Sequence, residues 1–581
     1  MMETAETAPF RIGSTVRALR CALQRETGHE AESERAENWE KRSTERDKLW
    51  FKESSAKNLR NRDFLAPNTV LTTLYSDGQV PQAVLRRVLS LHGSGVLPFA
   101  GCDVTAEGLC VTVDRCTAFR GVLCGMNTYL RPATQRQGCV LINCPALHAK
   151  QAPPTPDSLT LVQLRTVLIA DHLGAVLLRQ GYSVSFCPAL PEESDIISFL
   201  RILGINWPAA SVSWTSEEGE EKMRSALESC SYRETDGERG KRASKGEYGG
   251  MTEEVRINLK RVMEDVELQG YDPTLGTCTV QREALCHLAQ LDSAIEQFPA
   301  STVSVLHVTS CQDEFRQQQI AMLWRATGCF LANFVFISVC LSVCLSFCQR
   351  LVVCGLVKTP GTQMSAAQYL QLRRVQMKEA SEIKYGEQVE GQTWDDIIRV
   401  MTCATVRFEL LSTAHTSPVT LDVQREVAVS TKGPRGGVFV MYNCARLHTL
   451  FSSYEKGVEQ GVYPEIPAGS ELDFSSLKEE GEWLLLFNYL IPFSELLDQS
   501  GQVLELEGAG ARVNLRTEQV CRFLVSLSKD FSSYYNRVHV LGEPLPHLFN
   551  QMFCRLLLLK ALRELYHSAL DSLNLPPIPQ L

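Results

Sequence analysis

The chain has 581 residues, 44% of them hydrophobic and 22% charged, the composition of a folded globular protein of about two to four domains. That excludes a mostly disordered, collagen-like or coiled-coil chain. Lys and Arg number 58 against 67 Asp and Glu, a net charge of −9, so any nucleic-acid binding needs a local patch rather than a polycationic surface.

Residues 1–60 are polar and charged, which predicts no secretory leader. The 21 cysteines are scattered, odd in number and without a CxxC pair. They predict reduced thiols in a cytoplasmic protein, not a disulfide framework or a zinc site. Residues 1–150 read as an α+β appendage. Within it, 29–63 is dense in charge, from Glu30 and Arg35 to Asp47 and Lys48, and predicts a solvated helix or insertion. Ala83–Leu91 has helical spacing, and Leu109–Val113 alternates like a strand. The proline-rich 151–156 marks a domain edge.

Residues 151–435 follow α/β grammar. Leu161, Leu164, Leu168 and Ala175 repeat at helical spacing up to Gln180-Gly181, and Tyr182–Phe186 reads as a strand. Val303–Val308 and Leu351–Val357 are β-branched runs suited to buried strands. Ser231–Gly250 has no apolar period and reads as a surface insert. Ala326–Gln349 carries no charge before Arg350 and is long enough to span a bilayer. Three readings stand: a membrane helix that would split an α/β domain, an unusually long core element, or a retained intron. Val, Cys, Leu, Ser and Phe are what a pyrimidine-rich tract encodes, and the third is our expectation.

Residues 436–581 read as helical. Leu524, Leu527, Phe531 and Tyr535 form one stripe, and Leu558, Leu562, Leu565 and Ala569 form another. The loop Leu541–Pro546 separates them, and Pro576-Pro577 follows the second. An all-α bundle is expected.

Several stretches carry a family resemblance. Leu164-Arg165 through Tyr182-Ser-Val184 resembles the first catalytic-domain helix of arginyl-tRNA synthetases, which begins Leu-Arg-Ser-Thr and ends Gly-Tyr-Asp-Val. Phe439–Arg446 resembles the family's entry to its anticodon domain. Lys529–Asn536 resembles a later helix of that domain, and Arg555–Pro577 its closing helix, with Lys560-Ala-Leu-Arg563 at the "DALR" tetrad. As a whole the chain resembles the animal DALR anticodon-binding domain-containing proteins. The resemblance implies a degenerate Rossmann-like class I synthetase body followed by an all-α anticodon-binding bundle.

The departures are specific. Where the synthetases have His-x-Gly-His, this chain has Thr160, Leu161, Val162 and Gln163. The synthetase chemistry uses two imidazoles to meet charge on the ATP triphosphate, and the loss of such a donor typically costs about two to three decades in rate. Its glycine leaves room for the adenine. The expected lysine-rich loop is Lys358–Ser365, with a single lysine. No catalytic residue, cofactor or metal ligand is nominated. His92–Gly95 reads as a turn. Cys110, Cys116, Cys139 and Cys144 read as core thiols. Asp171 and His172 read as pointing apart, and Asp395-Asp396 as a helix start.

The C-terminal residues 512–581 hold eight Lys/Arg and five acids, a local balance of +3. Cations with aromatic platforms suit unstacked RNA bases. The candidate RNA-binding residues are Tyr442, Arg446, Arg522, Lys529, Tyr534, Tyr535, Asn536, Arg537, Arg555, Lys560 and Arg563. Spacing alone favours a core and a solvated face; the resemblance reverses that for the domain, though not for any single residue.

The resemblance implies a non-catalytic tRNA-binding adaptor, with arginine tRNA as ligand and a tRNA cytidine methyltransferase that makes 3-methylcytidine as partner. DNA and membrane partners are not expected. The competing readings are an active arginyl-tRNA synthetase with divergent motifs and a membrane-tethered interaction protein.

Overall fold

The computed structural model describes residues 8–24, 49–75, 78–149, 152–210, 217–234, 254–265, 269–298, 303–328, 348–386, 391–423, 436–502 and 511–579. Helix α1 (Ile12–Gln24) buries Thr15, Leu19, Ala22 and Leu23 on one face. Strands β1 (Phe51–Lys52), β2 (Phe64–Pro67), β3 (Phe99–Thr105) and β4 (Gly108–Val113) form an antiparallel sheet in the order β1-β2-β4-β3. Asp114 caps α2 (Arg115–Cys124), accepting from the Thr117 N–H at 3.2 Å.

Part of the charged reading of 29–63 is corrected here. Residues 29–48 lie outside the described residues, but 49–63 is built into the fold, with Phe51–Lys52 as a strand and Ala56–Leu59 as a short helix. Trp50, Leu59 and Asp63 are buried. Asp63 accepts from the Val113 N–H and the Trp483 Nε1–H, each at 2.7 Å. Charge density failed as a guide because the one carboxylate that goes inside is fully hydrogen-bonded there.

The body is a parallel sheet. It comprises β5 (Cys139–Asn143), β6 (Ser183–Cys187), β7 (Val303–Ser310) and β8 (Cys348–Cys354), in the order β8-β7-β5-β6. Its helices are α3 (Leu161–Arg179), α4 (Asp195–Ile202), α5 (Glu217–Ser229), α6 (Arg282–Glu296) and α7 (Glu314–Thr327). All five residues of β5 are buried, as a central strand covered on both faces requires. It pairs with β7 and β6, so the body's sheet begins ahead of the border drawn at 150. Of the proline-rich 151–156, residues 152–156 lie in a loop between β5 and α3, within the body rather than at a domain edge. Residues 235–250 and 329–347 lie outside the described residues, and with them most of the two inserts. The first residues of the 231–250 tract are ordered: Arg233 bridges Ile257. Among the described residues one helix, α3, is long and apolar enough to cross a membrane, and 83% of that stretch is buried in the body.

Helices α8 (Ala366–Tyr385) and α9 (Gln392–Leu411) lead into the bundle. The bundle contains α10 (Gly437–Glu459), α11 (Glu480–Leu485), α12 (Phe493–Ser500), α13 (Gln519–Tyr535) and α14 (Pro546–Asp571). Both predicted stripes face inward: Leu524, Leu527, Phe531, Leu558, Leu562, Leu565 and Ala569 are buried, and Tyr535 is half-buried. Helices α9 and α10 approach closely at Gly437, where a Cβ would lie 2.4 Å from the Ala404 carbonyl oxygen.

The bundle is bolted to the body. Arg407 on α9 pairs with Asp171 on α3 at 2.7 Å, both buried. Asn574 donates to the other Asp171 oxygen at 2.9 Å, and the His172 ring lies 2.6 Å from the Ser572 carbonyl. Asp171 and His172 therefore serve separate partners. Arg165 is buried with no carboxylate beside it. It donates instead to the carbonyls of Gly355, Leu410, Thr413, Ala414 and Ser417. Those at the end of α9 carry the helix's unpaired negative dipole end.

Candidate nucleic-acid interface

Four of the predicted residues meet at one place. Arg446 on α10 donates to Ser532 Oγ at 3.2 Å and to Asn536 Oδ1 at 2.8 Å. Its guanidinium lies 4.4 Å from the Tyr535 ring centre and 5.4 Å from that of Tyr442. Helical spacing puts Tyr442 one turn before Arg446, and Ser532, Tyr535 and Asn536 within one turn of each other. Tyr442 and Tyr535 are half-buried, each keeping part of its ring in solvent. Burial raises the Tyr535 hydroxyl above its ordinary pKa, opposed by the Arg446 charge.

The cluster continues onto α8 and α9, which the sequence did not suggest. Lys384 Nζ lies 4.9 Å from the Tyr442 ring centre and 4.6 Å from that of Tyr385. Tyr385 packs on Trp394, with ring centres 5.1 Å apart. Lys384 is exposed, and Tyr385 and Trp394 are half-buried. The result is an alternation of ring and cation drawn from four helices. Arg522, Lys529 and Asn536 are spaced by seven along α13 and form an exposed stripe leading to it. Arg522 also donates to the Ser412 carbonyl at the end of α9, at 3.1 Å. Half-exposed rings suit stacking by unpaired bases, and flanking cations suit phosphates.

Two predicted residues are corrected. Tyr534 is 1% exposed, with its hydroxyl 3.3 Å from Glu482 Oε1. Arg555 pairs with the same oxygen at 2.8 Å. Tyr534 sits on the inward face of α13, so no base can reach its ring. Arg555 is spent on neutralising a fully buried carboxylate. Burial raises the pKa of Glu482, against the opposing pull of Arg555.

The other candidates lie apart from the cluster. Arg537 donates to the Ser533 carbonyl and faces Lys57 and Arg60 of the N-terminal unit across a cleft of about 300 Å³. Arg563 lies over Phe451, 4.3 Å from its ring centre, and Lys560 is exposed on α14. The tetrad Lys560–Arg563 thus puts Ala561 and Leu562 in the core and its two cations outside.

Comparison with known proteins places this geometry. Residues 10–129 match the DALR N-terminal domain, and residues 440–581 match the DALR anticodon binding domain. The chain is 74% identical to the zebrafish protein named DALR anticodon-binding domain-containing protein 3, over 99% of this chain and 100% of that one. The chain belongs to this family. The mouse member is 40% identical over 92% of this chain and 96% of its own length. The fold of this family member is that of the arginyl-tRNA synthetases. The Plasmodium falciparum enzyme aligns with a TM-score of 0.57 at 11% identity, covering 99% of this chain and 100% of that one. The N-terminal unit, which sequence reasoning read only as an α+β appendage, matches a DALR N-terminal domain over residues 10–129.

In this DALR-family chain, Thr160 and Gln163 form a capping box at the start of α3. The Gln163 N–H donates to Thr160 Oγ1 at 3.3 Å, and the Thr160 N–H to Gln163 Oε1 at 2.9 Å. Leu161 and Val162 are buried. Ser365 and Gln368 form a second capping box at the start of α8. The two boxes face each other, with Thr160 and Ser365 in an antiparallel bridge and the Ala366 N–H donating to the Leu159 carbonyl at 2.8 Å. Helix N-termini attract phosphate through free N–H groups. Here side chains take the Gln163 and Gln368 N–H groups, and the carbonyls of Leu159 and Pro156 take those of Ala366 and Ala367.

A buried polar layer at the ends of the sheet strands also escaped the sequence. The rings of His148 and His287 stack with centres 3.6 Å apart. Asn143 bridges His148, His287 and His307 at 2.7, 3.2 and 3.0 Å. Burial lowers all three histidine pKa values, to about 3 for His148 and about 4 for His307. Among the described residues no cluster of His, Cys, Asp and Glu is arranged to hold a metal. The 17 cysteines whose side chains are described are free thiols.

Proposed function

We propose that this protein is a non-catalytic tRNA-binding adaptor. Its anticodon-binding domain holds the anticodon arm, and its body serves as a docking surface. The observation that carries the reading is the Arg446 cluster, a half-exposed run of rings and cations on the DALR domain. Its placement fits the binding of unstacked loop bases, with the Arg522–Lys529 stripe following the phosphates.

The non-catalytic half of the reading is supported by the paired capping boxes. Neither Thr160 nor Gln163 carries a positive charge, and each is engaged in holding the other. We take arginine tRNA as the ligand, in line with the synthetase fold. The partner we assign is a tRNA cytidine methyltransferase that forms 3-methylcytidine in the anticodon loop. A bound adaptor raises such an enzyme's effective concentration on the chosen tRNA. The site of action is the cytoplasm.

Purification of the full chain from cells, followed by sequencing of bound RNA and identification of bound proteins, tests the proposal. Recovery of arginine tRNA with a methyltransferase is the expected result. Arginine-dependent ATP–pyrophosphate exchange by the pure chain would replace it with a synthetase, and an absence of tRNA would remove the binding function.

A further inference from the structure

Strand β6 is an edge of the parallel sheet, hydrogen-bonded to β5 alone. The Ser183 N–H donates to the Gly138 carbonyl and the Cys144 N–H to the Cys187 carbonyl. Parallel pairing alternates, so the odd residues of β6 face β5 and the backbone of Val184 and Phe186 faces away. Among the described residues, no hydrogen bond takes up these outward N–H and C=O groups. They open on a groove of about 1080 Å³ between β6, the Trp207–Ala210 stretch, and helices α5 and α6. Phe186 and Trp207 give it an aromatic end, with ring centres 4.8 Å apart.

The opposite wall is acidic. Five carboxylates line the groove; Arg201 pairs with Glu192, Arg282 with Glu220, and Lys222 with both Asp292 and Glu296, which leaves Glu218 and a net excess of two negative charges. Asp292 is the most telling of these. It is 3% exposed, and its Oδ2 accepts from Lys222 at 2.6 Å while its Oδ1 has no hydrogen-bond partner. A buried carboxylate oxygen without a donor is costly.

We infer that this groove binds an extended basic segment of a partner protein, which adds to the sheet as a strand beside β6. Backbone pairing to Val184 and Phe186 holds the segment, its alternate apolar side chains meet Phe186 and Trp207, and its Lys or Arg side chains face the wall of Asp292 and Glu296. The acidic wall repels nucleic acid, so this surface is separate from the Arg446 cluster and does not depend on the RNA-binding reading.

The test uses the full chain without RNA and a fluorescein-labelled peptide of alternating arginine and valine, with a glutamate–valine peptide as counterpart. The arginine peptide is expected to bind by fluorescence anisotropy and the glutamate peptide to fail. Val184→Pro removes an outward N–H without touching the pairing to β5. Ser293→Arg places a cation on the exposed groove side of α6. Each is expected to weaken peptide binding about tenfold or more, with the circular dichroism melt unchanged. Should Val184→Pro fold poorly, Ser293→Arg alone decides. No binding of the arginine peptide at millimolar concentration, equal binding of both peptides, or unaltered affinity in the folded variants would overturn the inference. So would self-association in sedimentation that Val184→Pro abolishes, which would assign the edge to a second copy of the chain.

Discussion

Thr160 and Ser365 are paired in an antiparallel bridge, and each caps the helix that follows it. The start of α3 and the start of α8 are therefore tied together, and the N–H groups of Gln163, Ala366, Ala367 and Gln368 are occupied from within. Closure at this point is a structural joint with its own stability, and it can be measured.

Thr160→Ala is expected to destabilise the chain by about 1 kcal/mol, the usual cost of a lost N-cap. The double change Thr160→His and Gln163→His should cost at least as much and should not produce ATP–pyrophosphate exchange, because Leu161 and Val162 remain buried. Urea denaturation and the exchange assay check both halves.

At the interface, Arg446→Glu is expected to weaken tRNA binding and reduce its salt dependence. Tyr442→Ala removes a stacking face worth about 1–3 kcal/mol. Lys384→Glu should behave like Arg446→Glu, since both cations flank Tyr442. Filter binding at several salt concentrations reads the effect. Equal affinity and slope in all three variants would exclude the cluster from the site.

Arg555→Ala acts on the fold instead. It leaves Glu482, fully buried, without its cation, a change that typically costs about 3–5 kcal/mol. Arg555→Ala with Glu482→Gln should recover much of that loss. Tyr534→Phe, deep in the core, should leave tRNA affinity unchanged. A drop in affinity without a drop in stability would return Tyr534 to the binding surface.

The three histidines predict a pH dependence. His148, His287 and His307 are held neutral, with pKa values lowered by burial, to about 3 for His148 and about 4 for His307. The unfolded chain protonates them near pH 6.5. Above that pH both states are neutral and the histidines leave stability unchanged. As pH falls below it the unfolded state takes up protons that the folded state refuses. Stability is then lost by about 1.4 kcal/mol per pH unit for each histidine, down toward pH 4. Buried Asp63 and Glu482, whose pKa values burial raises, work in the opposite direction at the acid end. Histidine ring proton resonances separate the two effects: those of the three residues should not titrate between pH 7 and 5. A normal titration of any of them would show that its burial is not maintained in solution.

The helices α3, α13 and α14 were legible because each carries an apolar period of its own. So was the α/β order of the body, since β7 and β8 are short β-branched runs. Tyr442, Arg446, Tyr535 and Asn536 were legible through their resemblance to a known domain. Tyr534 was misjudged because it adjoins Tyr535 in sequence, and one step along a helix separates an inward ring from an outward one. Lys384, Tyr385 and Trp394 carry no local signal. They come from helices far from Tyr442 in the chain, and only the packing of α8 and α9 against α10 brings them there.

What the sequence determined by itself is what depends on near neighbours: periodicity, caps, strand runs and the family likeness written in short motifs. The tertiary structure decided which polar groups go inside. Asp63, Arg165, Asp171 and Glu482 look like surface residues until their partners are known, and those partners lie on other elements. Burial of a charge is tolerated only where hydrogen bonds or an opposite charge await it, and that condition is met by contacts between distant segments.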